Sequence, residues 1–107
     1  MPSHQEIDRR SLAMARAIVN RIDADPARTG LSQARATCTH WMRVAPSPAV
    51  REWQILLARE WEAVRATLLR DDEEGARLRQ SSPFIGVLTS RERWAFYGGP
   101  CHEPRAA

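Results

Sequence analysis

Between residues 50 and 68 the apolar side chains Val50, Trp53, Leu57, Trp61, Val64 and Leu68 recur at alternating intervals of three and four, with Leu56 beside them. A strand turns its side chains to opposite faces at every step, so it cannot gather such a set. A helix brings positions i, i+3, i+4 and i+7 onto one stripe. Ser47-Pro48 stands just ahead, a capping side chain followed by a residue whose missing N–H costs nothing in the first turn. The pattern predicts one long helix from Pro48 through Leu68, about five turns with a single apolar face. A helix of that length faces a core within its own chain; a seam between two copies is the alternative.

The rest of the chain supplies partners for that stripe. Residues 6–24 place Ile7, Met14, Ile18 and Ile22 on one side, widened by Ala15 and Val19, with Arg9, Arg16 and Asn20 opposite. Asp25-Pro26 reads as the cap and first residue of a second helix, which runs to about Arg43 through Leu31, Ala34, Cys38, Trp41 and Met42. Gly30 lies inside it at a cost of about 1 kcal/mol against alanine, which makes Thr29 the alternative start. Asp71 through Glu74 fit the first turn of a short fourth helix, where carboxylates meet the positive end of the dipole; an acidic surface facing a partner is the second reading. Pro83 ends that helix. Phe84-Ile85-Gly86-Val87-Leu88 has no second strand to pair with, so an extended or one-turn plug in the core is expected. Thr89 and Glu92 form a capping box for a last helix, Ser90 to Tyr97, and residues 98–107 read as a loose tail. The expected fold is all-α: one domain over 1–107, a compact orthogonal or up-down bundle of four to five helices.

Composition limits the function. A chain of 107 residues is one ordinary domain. Its sixteen cations are all arginine, each a planar fork suited to carboxylate, phosphate or indole contacts. Thirteen acids are interleaved with them, leaving +3, too little to argue for nucleic acid by charge alone. Phosphate-cradling glycine loops, nucleophile elbows and HExxH or CxxC pairs are all missing from the sequence, which points to a protein that binds rather than catalyses, without a cofactor. Cys38-Thr39-His40 and Cys101-His102 contain zinc-ligand types, but the spacing is not that of a finger and Cys38 falls on an apolar stripe, so no metal is expected. The sequence shows neither an export-type apolar region near its start nor an apolar run approaching about 18 residues; the expected setting is the cytoplasm, away from membranes.

The stretch Arg77-Leu78-Arg79-Gln80-Ser81-Ser82-Pro83-Phe84-Ile85-Gly86-Val87-Leu88, followed by Glu92-Arg93-Trp94, resembles the ending of small helical bacterial proteins that include antitoxins of toxin–antitoxin pairs. Asp25-Pro26 and the run from Glu52-Trp53 to Asp71–Gly75 fit the same pattern, so the resemblance covers most of the chain. The segment from Ser82 to Trp94 is its distinctive part, and Arg28-Thr29-Gly30 departs from it. The resemblance implies a protein partner, a toxin-like enzyme restrained by direct contact. The segment from Ser82 to Tyr97 is the candidate surface, with Pro83, Phe84, Arg91, Arg93, Trp94 and Tyr97 as the candidate contact residues, and internal packing is the favoured competing role. The alternative function is a helix-turn-helix-like DNA-binding regulator using Arg28, Gln33, Arg35 and Arg43 of the second helix.

Overall fold

The computed structural model describes residues 4–96, with the side chain of residue 4 left aside. Six helices follow one another: α1 (His4–Asp23), α2 (Thr29–Val44), α3 (Pro48–Leu57), α4 (Trp61–Leu68), α5 (Glu73–Gln80) and α6 (Ser90–Ala95). No strand occurs among the described residues. The all-helical expectation holds, with six helices where four to five were expected.

The extra helix comes from the long apolar stripe, which is not one rod. α3 stops at Leu57, Glu60 adopts extended backbone, and α4 starts afresh at Trp61. A continuous helix would need the carbonyls of Leu57 and Arg59 as acceptors for residues four further on. Instead Arg35 of α2 donates to both, from Nε to Leu57 at 2.9 Å and from Nη2 to Arg59 at 3.2 Å. A guanidinium from another helix therefore satisfies the ends that the break exposes. Beyond the corner, Trp61 Nε1 donates to Asp23 Oδ1 at 2.8 Å and Arg65 Nε to Asp23 Oδ2 at 3.0 Å, tying α4 to the end of α1.

The start of α2 also differs from the first expectation. Asp25-Pro26 opens a turn rather than a helix: the Arg28 N–H donates to the Asp25 carbonyl, and the Asp25 carboxylate accepts from the N–H groups of Ala27 and Thr29. Aspartate at the first position of a turn and proline at the second suit that geometry. Arg28 takes up left-handed backbone, with φ 52° and ψ 45°, and the helix begins at Thr29. Gly30 is buried there for a steric reason. A Cβ would stand 2.7 Å from Ile22 Cγ1 and 3.3 Å from Val87 Cγ2, so α1, α2 and the segment before α6 meet where only glycine fits.

The remaining starts agree with the sequence. Ser47 accepts from the Val50 N–H with Pro48 in the first turn, Asp72 accepts from Gly75, and Thr89 and Glu92 complete their capping box. Phe84 to Leu88 form a single turn whose Phe84, Val87 and Leu88 are buried. Phe84 meets Trp53 edge to face, ring centres 5.9 Å apart, and Trp53 Nε1 donates to the Leu78 carbonyl. These residues join Val19, Ile22, Ala34, Cys38, Leu57, Val64 and Leu68 in one core. Trp53 and Trp61 are the buried tryptophans; Trp41 is half-buried and Trp94 is exposed. No helix among the described residues is long and apolar enough to cross a membrane.

Candidate functional site

Apolar residues left at the surface mark where a helical body can be used by something else. Ile7, 43% exposed, departs from the expected core stripe of α1, whose inward face is carried by Leu12, Ala15, Ile18, Val19 and Ile22. Ile85, 54% exposed, is turned out of the one-turn plug because a turn that buries residues 84, 87 and 88 leaves 85 and 86 outside. The two isoleucines belong to one feature. A groove of about 330 Å³ is lined by Ile7, Met14 and Ile18 of α1, Leu68 of α4 and Ile85, with Arg10, Arg79 and Arg93 among its polar lining.

Arg79 and Arg93 are held by neutral acceptors and form no ion pair among the described residues. Arg79 donates from Nε to the Ser11 hydroxyl and from Nη1 to the carbonyls of Leu68 and Arg70. It thereby closes the open end of α4 and sets α5 against α1. Burial pulls its proton affinity down, against weaker through-space pulls from Asp8, Asp71 and Asp72. Arg93 donates from Nη1 to the carbonyls of Ile85 and Leu88 and from Nη2 to the Ser90 hydroxyl, fixing α6 over the plug. α6 itself buries no residue. Arg21 of α1 also fastens it, forming a two-pronged ion pair with Glu92 and reaching the Val87 carbonyl. That pair, together with the Thr89 N–H, holds the Glu92 carboxyl down at about 2.

The sequence-derived contact set is divided by the structure. Pro83 and Phe84 are interior residues, a correction to their place on a binding surface: both are buried, and Phe84 packs against Trp53. Arg91 is exposed, Arg93 half-buried and Trp94 38% exposed, while Tyr97 lies outside the described residues. Of the four residues put forward for DNA, Gln33, Arg35 and Arg43 are exposed and Arg28 is half-buried. Arg35 is taken up by the α3–α4 corner, and Arg28 donates to the Ile22 carbonyl with its guanidinium 5.8 Å from the centre of the Trp61 ring. Two acids of the run Asp71–Glu74 are paired: Arg70 holds Asp72 at 2.7 Å, and Arg77 holds Glu74 at 2.7 Å along with Glu52 of α3 at 2.9 Å, while Asp71 and Glu73 are exposed. Ile7, Ile85, Arg10 and Arg79 were not among the sequence-derived site residues. The turn spacing of 84, 87 and 88 was the available signal for Ile85; Arg79 had none.

A second, wide-open depression of about 440 Å³ lies between α2 and α3, lined by Arg35, Cys38, Thr39, Gln54, Leu57 and Ala58. Its thiol is buried, donates to the Val50 carbonyl at 3.5 Å and is pushed up by burial, the opposite of what a thiolate nucleophile needs. Cys101 and His102 lie outside the described residues, among which no cluster of three or more metal-ligand types occurs. No protein family, curated protein or solved structure shows a detectable match to this chain.

Proposed function

We propose that the chain is a non-catalytic, protein-binding regulator, and that its specific form is the antitoxin of a bacterial toxin–antitoxin pair, neutralising its toxin by direct contact. One observation carries the reading: an apolar groove with two exposed isoleucines, 43% and 54% exposed, beside arginines fixed by backbone carbonyls. Apolar anchors with arginine at the rim are residue types in which interface energy concentrates. Occlusion asks only for a firm body and a complementary surface, with no chemistry of its own. Two of the four residues considered for DNA serve the fold, which favours the protein-binding reading over the regulator of transcription.

The test is co-expression with the product of the adjacent gene. The expected result is relief of growth arrest and a stable complex on purification, both lost in Ile85→Glu while the helical circular dichroism persists. Growth arrest that is unrelieved, with the two products purifying separately, overturns the proposal.

A further inference from the structure

Resting on the groove as a protein-binding site, we propose that it selects an acidic amphipathic helix, whose apolar residues seat between Ile7 and Ile85 and whose carboxylates meet Arg10, Arg79 and Arg93. The α1 part of the lining runs from Ile7 to Ile18, about 16 Å at 1.5 Å per residue, which matches three turns of a helix laid alongside. A volume of about 330 Å³ holds a few side chains and not a whole helix, so the partner lies along the groove and inserts anchors spaced three and four apart.

Charge sets the partner's sign. Arg21, Arg65, Arg70 and Arg77 each contact a carboxylate, whereas Arg10, Arg79 and Arg93 form no ion pair among the described residues. Asp8, Asp71 and Asp72 act on Arg79 only through space, and no carboxylate is among the residues that line the groove. The donors not already used point to the same conclusion: Arg79 keeps Nη2, and Arg93 keeps Nε, without a hydrogen-bond partner among the described residues. An arginine remains a cation even when burial opposes it, so an arriving carboxylate supplies the counter-charge that the fold omits. Phosphate would satisfy the same forks, but nucleic acid has no use for a lining of isoleucine, methionine and leucine. An amphipathic protein segment uses both parts.

Fluorescence anisotropy with designed probes tests this on the full chain. The probes are a labelled helical peptide of about 18 residues with leucines at three- and four-residue spacing and flanking glutamates, its lysine counterpart, a leucine-scrambled glutamate peptide, and a DNA duplex. The glutamate peptide should bind at least about tenfold more tightly than the lysine or scrambled versions, with the margin shrinking as salt is raised. Ile7→Glu and Ile85→Glu should abolish binding, and Arg10→Gln should narrow the margin with circular dichroism unchanged. Equal binding of the two charge types, lost in Ile85→Glu, overturns the acidic selection while leaving a protein-binding groove. Tighter binding of the duplex, or a homodimer broken by Ile85→Glu that takes up no peptide, overturns it as well. Binding of no peptide also overturns it, and does so independently of the co-expression result.

Discussion

Arg77 and Arg79 stand two residues apart on one short helix and serve opposite purposes. Arg77 looks outward and clamps Glu52 of α3 and its own neighbour Glu74, three groups that all remain in contact with water. Arg79 turns inward to a hydroxyl and two carbonyls, so its charge is placed but not cancelled. The charge of Arg77 is therefore answered on the outer face of α3 and α5, and that of Arg79 at the edge of the groove is not. What separates them is the kind of acceptor: a carboxylate neutralises a guanidinium, whereas a carbonyl only positions it.

Loss of the core contact that seats the turn carrying Ile85 against Trp53 of α3 should cost the most. Phe84→Ala empties the contact with Trp53 and should cost about 3–5 kcal/mol in urea unfolding, with the segment around Ile85 losing its hydrogen-exchange protection. Arg79→Ala comes next. It leaves carbonyls at the end of α4 without their donor and should cost about 1–3 kcal/mol, and Arg79→Lys should not restore it, because one ammonium cannot serve the hydroxyl and both carbonyls in the same fork. Arg77→Ala should move the urea midpoint least of the three, by an amount that vanishes in high salt, since exposed pairs add little.

The smallest effect is a pH one. The Glu92 carboxyl titrates at about 2 when folded, below the ordinary carboxylate range near 4.3. A depressed carboxyl contributes stability that is full above its unfolded value and is lost as pH falls through the folded one. The fastening of α6 should thus weaken between about pH 4 and 2, and Glu92→Gln should flatten that part of the profile. Asp72, Glu74 and Glu52 are lowered by their arginines as well, so the acid limb belongs to the outer face too, and only the Glu92→Gln difference reports on α6.

How much of this could be read from the residues follows from what each signal depends on. Ser47-Pro48, Asp72 and the Thr89–Glu92 box act within three or four residues, so their starts were legible. The one-turn plug was legible for a similar reason, a lone apolar run after a proline. The break at Ala58-Arg59-Glu60 was not, because all three are good helix formers and the side chain that satisfies the exposed carbonyls, Arg35, lies on another helix. Gly30 looked like a weakness in α2, and its purpose appeared only once Ile22 and Val87 were seen against it. The groove was hidden for the same kind of reason. Ile7 continues the apolar stripe of α1, and nothing local tells it that the body ends before reaching it.

The corner between α3 and α4 has a consequence for how the chain tolerates changes in length. Within α3 one extra residue at Gln54 would rotate everything after it by about 100°, carrying Leu57 off the core. The same residue added after Arg59 would fall in non-helical backbone, where α4 is held from its far side by Asp23 and keeps its own orientation. Two consecutive halves of one apolar stripe thus have separate reckonings of angle, and a residue gained after Arg59 should leave each half on its own face.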